Sequence, residues 1–171
     1  MRFTPYDDVM VQSSVVSSVG IQSLTGSSAV NGDGIDTALV FDADTAMFRL
    51  RAEIASGTPT TATVAWKIQE SNDNGSTDAY ADATDNTGTV IGATINVKTV
   101  AADAYARLEG LMLRNNSASA APYGGRKRWL RVVLTPAFSG GSSPAILAFA
   151  ELIGAPGPGA VLPVRTAVSN T

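Results

Sequence analysis

The sequence predicts an all-β fold, a single β-sandwich or jelly-roll-like domain with an extended N-terminal arm and a Pro/Gly-rich C-terminal tail. Three observations lead there. Apolar and polar residues alternate with period two in several segments, most cleanly where Phe48, Leu50, Ala52 and Ile54 oppose Met47, Arg49, Arg51 and Glu53. Gly, Ser and Asn clusters separate these segments, as turns require. Of the 171 residues, 44% are hydrophobic and only 16% charged, a balance that suits one buried core with strands joined by small-residue turns.

Residues 9–25 place Val9, Val11, Val15, Val19 and Ile21 at odd positions, which favours extended chain. Residues 1–30 are therefore expected to be an arm that orders on a partner, or a first strand. Residues 31–36 contain Asn31, Gly32, Asp33 and Gly34 and read as a turn, followed by a short strand over 38–41 and the alternating strand over 47–54. Val64, Trp66 and Ile68 form the core face of the next strand, which ends in the turn Asn72, Asp73, Asn74, Gly75. Residues 72–88 are polar and read as a surface loop. A β-like run over 89–97 comes next, and then a segment over 100–113 that also fits a helical stripe and is read as a strand from Tyr105 to Leu113. After a small-residue loop over 115–123, Leu130, Val132 and Leu134 share one face of the Trp129 strand. Residues 145–153 are nearly continuously apolar, as expected of a strand covered on both sides. The sandwich domain is thus expected over 31–154. The tail over 155–171 carries Pro156, Pro158 and Pro163, which block helix and central strand. The pieces add up to about seven or eight strands, the number of a sandwich or jelly roll.

The chain has no cysteine and no histidine, which excludes disulfides, thiolate zinc sites, cysteine nucleophiles and His-dependent triads. With 12 Lys plus Arg against 15 Asp plus Glu, the formal charge is −3, unlike the basic excess of general nucleic-acid binders. Asp7 and Asp8 stand where a signal peptide needs apolar residues, and no stretch reaches membrane-span length, so neither export nor a membrane partner is expected. Asp73, Asn74, Asp78 and Asp82 could offer calcium its hard oxygen ligands, but a solvated hairpin loop explains them without metal. Glu53, Glu70, Glu109 and Glu151 lie on predicted strands, and nothing in the sequence sets two of them at a catalytic separation. No catalytic, cofactor or metal residues are assigned, and no enzyme activity is expected. The basic cluster Arg126, Lys127, Arg128 and Arg131 has two readings: contact with an acidic partner surface, or charge protecting a strand edge. Trp66 and Trp129 read as core or subunit-contact residues. Met47 and Trp129 join the basic cluster as candidates for partner contact.

The order of a Gly-rich turn with IDTA, then WKIQESNDNGS, GGRKRWLRVVLT and AFAELIG, resembles tailed-phage head decoration or cement proteins and related minor virion proteins. The likeness covers residues 32–154. It departs from the family pattern in Trp129 where Tyr is common, in an extra Arg128, and in an insertion between Leu113 and Tyr123. The resemblance implies a non-enzymatic module that binds the major capsid protein on the outside of the head, often as a homotrimer, after synthesis in the bacterial cytoplasm. A tail, baseplate or head-tail joining protein is the alternative. A carbohydrate-binding β-sandwich using Trp and Tyr platforms is a second. On this reading, removal of residues 1–14 leaves the core folded and weakens capsid attachment. Titration of bare capsids checks this, and saturation at unchanged affinity contradicts it.

Overall fold

The structure, a computed structural model, describes residues 14–37, 45–85, 87–100, 102–103, 106–114 and 127–154. Among the described residues eleven strands run in chain order: β1 (Ser14–Thr25), β2 (Val30–Asn31), β3 (Ile35–Asp36), β4 (Thr45–Ser56), β5 (Thr61–Ser71), β6 (Ala81–Asp82), β7 (Gly92–Thr99), β8 (Ala102–Asp103), β9 (Ala106–Arg114), β10 (Trp129–Ser139) and β11 (Ala145–Gly154). They form two sheets. Sheet A has the order β1-β11-β4-β9, and sheet B the order β2-β10-β5-β7-β8, with β3 also on β10 and β6 also on β5. Every pairing is antiparallel.

The connectivity is that of a jelly roll. β2 and β3 lie along the same edge of β10 and act as one interrupted strand, while β6 and β8 are two-residue additions. Among the eight principal strands that remain, the first pairs with the last (β1·β11), the second with the seventh (β2/β3·β10), the third with the sixth (β4·β9) and the fourth with the fifth (β5·β7). This nested pairing is a long hairpin wrapped into two sheets. The expectation of an all-β sandwich or jelly roll is met.

Alternation decides which side chains enter the core. In β5, Ala62, Val64, Trp66 and Ile68 are buried while the residues between them are only half-buried. β10 supplies Leu130, Val132 and Leu134 on the same face, and sheet A answers with Phe48, Leu50, Ala52, Ile146, Ala148 and Ala150. Phe48 and Trp66 meet across the sheets with ring centroids 4.7 Å apart and planes tilted by 30°. Buried aromatics of this size are worth about 3–5 kcal/mol against alanine, so this pair outweighs any single polar contact in the fold.

Three expectations change. β1 does not put all its odd positions on one face, because its pairing with β11 shifts register between Ser17 and Val19 and again between Val19 and Gln22. Val19 is therefore fully buried while Ile21 is 73% exposed. Residues 72–88 are more than a surface loop, since β6 and the Thr84–Val90 bridge pin them to sheet B and Ala83 is wholly buried. The segment read as a single turn over 31–36 takes in the last residue of β2 and the whole of β3. The ambiguous segment near 105–113 is strand β9. The predicted strand over 38–41, the loop over 115–123 and the tail over 155–171 lie outside the described residues, as do residues 1–13 of the proposed arm.

The first irregularity of β1 has a structural use. Ser18, 1% exposed, leaves the β11 ladder and reaches towards sheet B, where its hydroxyl accepts from the Val132 N–H (2.9 Å) and donates to the Asp33 carbonyl (2.8 Å). The Asp33 N–H donates back to the Ser18 carbonyl at 2.6 Å, and the Gly32 N–H to the Val132 carbonyl at 2.8 Å. Ser18 thus stitches the two sheets at their β1 corner. Gly32 makes this approach possible, because a Cβ there would lie 2.5 Å from the Ser18 hydroxyl and 2.6 Å from its carbonyl oxygen. Ser18→Ala strands the buried Val132 N–H and is expected to cost about 1–3 kcal/mol, with Gly32→Ala costing at least as much. Urea unfolding checks both, and unchanged midpoints contradict the stitch.

Candidate functional site

Of the residues singled out for partner contact, Lys127, Arg128, Trp129 and Arg131 sit where β10 begins, at one end of sheet B, and the charges of Lys127, Arg128 and Arg131 are already engaged within the chain. Arg128 forks the Asp36 carboxylate, its Nε and Nη2 donating over 2.9 and 2.6 Å. Thr37 completes the clamp by donating its N–H (3.0 Å) and hydroxyl (2.7 Å) to the Arg128 carbonyl. Asp36 is only 7% exposed, so this bidentate contact supplies the partner that a buried carboxylate requires. It also raises the Arg128 guanidinium pKa above its ordinary value, through hydrogen bonding first and charge second.

Lys127 donates its ammonium to both Asp78 oxygens, at 2.9 and 2.8 Å, and its N–H to Glu70 at 3.3 Å. Arg131 donates Nε and Nη2 to the Gln69 carbonyl oxygen (3.0 and 2.7 Å) and lies 4.1 Å over the Tyr80 ring. The Gln69 amide donates to Asp82 at 2.8 Å, and Lys67 pairs with the same carboxylate at 2.7 Å. Trp129 is half-buried, in register with Ser71 on one side and Asp36 on the other. Arg126 lies outside the described residues, and Met47 belongs to β4 but its side chain is not among those described. The structure therefore brings Lys127, Arg128, Trp129 and Arg131 to one end of sheet B and sets Met47 apart on sheet A.

The loop after β5 is organised by Asp73. Asn74 and Gly75 have φ of 61° and 81°, the left-handed turn that Asn and Gly tolerate. This folds the chain back so that Asp73 accepts the N–H groups of Ser76 (3.0 Å), Thr77 (2.7 Å) and Asp78 (3.1 Å). The Thr77 hydroxyl donates to it too, and the Tyr80 hydroxyl donates to Asn74 at 2.8 Å. These donors hold the Asp73 carboxyl far below the usual carboxylate range, the Thr77 hydroxyl being the largest cause. Lys127 lowers Asp78, and Lys67 followed by Gln69 lowers Asp82.

The arrangement is chemically a set of ties. Each of the oxygens weighed for calcium has an internal donor, and among the described residues no three acidic side chains gather as a metal would need. Of the strand glutamates, Glu151 does not face solvent. It is 8% exposed and pairs with Arg49 on the outer side of sheet A. Sequence reasoning missed Asp36, Ser18 and Glu151, whose partners lie 92, 114 and 102 residues away.

No family model matches the chain, and no curated protein sequence matches it. Among solved structures, a chain described as "Structure of infectious bursal disease virus Gx strain" superposes with a TM-score of 0.42 at 10% identity, over 82% of this chain and 30% of that one.

Because the folded pKa values of Asp73, Asp78 and Asp82 are depressed, their stabilisation is fully present above the unfolded carboxylate value of about 3.9. It is lost as pH falls through the folded values. The thermal midpoint should be level between about pH 7 and 5 and fall below about pH 4. Asp73→Asn should flatten that fall. Calorimetry across this range checks the sign, and a midpoint that rises on acidification contradicts it.

Proposed function

We propose that this chain is a non-enzymatic structural protein of a virion, a decoration or cement protein that binds the major capsid protein on the outer head surface of a tailed phage. The observation that carries the reading is the convergence of the segments bearing the family resemblance. IDTA supplies Asp36 and Thr37, WKIQESNDNGS supplies Gln69, Glu70 and the Asp73 turn, and GGRKRWLRVVLT supplies Lys127, Arg128 and Arg131. They meet at one end of sheet B, joined by the ties described above. AFAELIG is the centre of β11.

The jelly-roll wrap supports the reading at the level of fold, since capsid proteins use this architecture, although lectins and cupins use it too. Physical economy supports it further. With neither Cys nor His, the chain depends on packing and ion pairs. A lattice component also needs no tight single site, because many weak copies on one particle gain effective concentration.

Quantitative mass spectrometry of purified particles from the source phage tests this. The expected result is a copy number comparable to that of the major capsid protein. A few copies per particle would move the chain to the tail or the head-tail junction, and absence from particles contradicts the virion reading.

A further inference from the structure

Asparagine followed by glycine occurs twice in the chain, at Asn31–Gly32 and at Asn74–Gly75. Such a pair is chemically labile, because glycine has no Cβ to shield its backbone nitrogen from the asparagine side chain beside it. The two pairs are held differently. Asn31 stands in β2 opposite the buried Val133, and the Gly32 N–H donates to the Val132 carbonyl of the adjoining strand. Asn74 and Gly75 are exposed in the left-handed turn after β5, where the Gly75 N–H donates to a side chain, the Ser71 hydroxyl, at 2.8 Å. Ser71 is wholly buried, accepts the Asp73 N–H as well (3.2 Å) and donates to the Asp78 carbonyl (2.7 Å). The Asn74 carboxamide is held separately. Its oxygen accepts from the Tyr80 hydroxyl at 2.8 Å and sits against Gly34, where a Cβ would lie 2.1 Å from it.

We infer that Asn74 is a modification site, an asparagine that deamidates when the Asp73 turn opens and that Ser71 and Tyr80 protect in the folded chain. In the reaction the Gly75 backbone nitrogen attacks the Asn74 side-chain carbon. The N–Cγ bond forms, the Cγ–Nδ2 bond breaks, and ammonia leaves with the proton that Gly75 gives up. Water then opens the five-membered imide at either carbonyl, leaving an aspartate or an isoaspartate at position 74. Nothing is oxidised or reduced, and water is the only co-reactant. The attack needs the Gly75 N–H released from its acceptor and the Asn74 carboxamide free to swing onto it. In the folded chain Ser71 holds the first and Tyr80 with Gly34 the second. The observed rate is therefore the rate in the open turn multiplied by the fraction of time it is open.

The product changes the end of sheet B. Either acid adds a negative charge next to Asp73, and the isoaspartate also lengthens the backbone by one atom ahead of Gly75. The donors that follow, the N–H groups of Ser76, Thr77 and Asp78, are the ones that Asp73 gathers. A longer backbone moves them off that carboxylate, and with them Asp78, which ties Lys127.

Peptide mass mapping of the full chain aged at neutral pH tests this, scoring the amide-to-acid mass change at positions 31 and 74. The expected result is slow conversion of Asn74 in the folded chain and conversion at least about 30-fold faster in urea, where both holds are lost. Ser71→Ala removes one hold and should speed Asn74 by about 10-fold without urea. Asn31 in the same digest is the comparator: opening of the turn leaves it unchanged, whereas a general loss of stability raises both sites. Far-UV circular dichroism reports whether Ser71→Ala is folded, and Tyr80→Phe, with an expected rise of about 5-fold, carries the same test if it is not. Equal rates for folded and urea-unfolded wild type, a parallel rise at Asn31 in a folded variant, or no acceleration in either variant overturns the assignment.

Discussion

The ladder between β5 and β10, unbroken from Trp129↔Ser71 to Ser139↔Thr61, is the constraint on which the rest of the structure depends. It joins two strands far apart in sequence and presents Val64, Trp66, Ile68, Leu130, Val132 and Leu134 as one apolar surface. Sheet A has to cover that surface, and Phe48 against Trp66 is where it does so most heavily. The other edges of the ladder are then available: β2 and β3 dock on β10, and β7 and β6 share β5. The nested order of the jelly roll follows, because a chain that pairs its fourth principal strand with its seventh is led to pair its first with its last.

The polar architecture depends on the same ladder. β10 enters it through Lys127 and Arg128, and both turn their charge inward, onto Asp78 and Asp36. Exposed ion pairs contribute little each, typically below about 1 kcal/mol, so these ties fix loop position more than they add stability. The Arg128 clamp differs in degree because Asp36 is buried, and a buried carboxylate without its partner would be costly. The basic cluster reads from sequence either as a contact for an acidic partner or as protection of a strand edge, and in the structure Lys127, Arg128 and Arg131 are tied to the chain's own Asp78, Asp36 and Gln69.

How much of this was legible in the sequence follows from where each signal resides. β4, β5 and β10 were legible because strict alternation is a local property, and burial follows it residue for residue. β1 was legible as extended chain but not in its facing, since two register shifts redistribute its apolar residues and no residue type announces them. Ser18 looks like any other serine of a Ser/Val segment. It becomes a stitch only because Gly32 lets the neighbouring segment approach. Asp36 and Glu151 looked like residues of a turn and of a solvated strand face, and their roles are set by arginines about a hundred residues away. Ala83 shows the same limit, an alanine in a polar run that β6 and the Thr84–Val90 bridge carry into the core. Which elements form is mostly local information, whereas which polar groups meet is not.

The pairing of the first strand with the last is the central structural claim, and it can be tested directly because the chain has no cysteine of its own. Ser23 and Leu147 stand opposite each other in β1 and β11, on the outer side of sheet A. With Ser23→Cys and Leu147→Cys in one chain, oxidation should close a disulfide within the monomer, since directly opposed strand residues hold Cβ atoms roughly 4.5–5.5 Å apart. The same reaction with Ser23→Cys and Phe149→Cys should lag well behind. Ready closure of the opposed pair alone is the predicted result. Failure of that pair to close, or equal closure of both, would contradict the wrap described here.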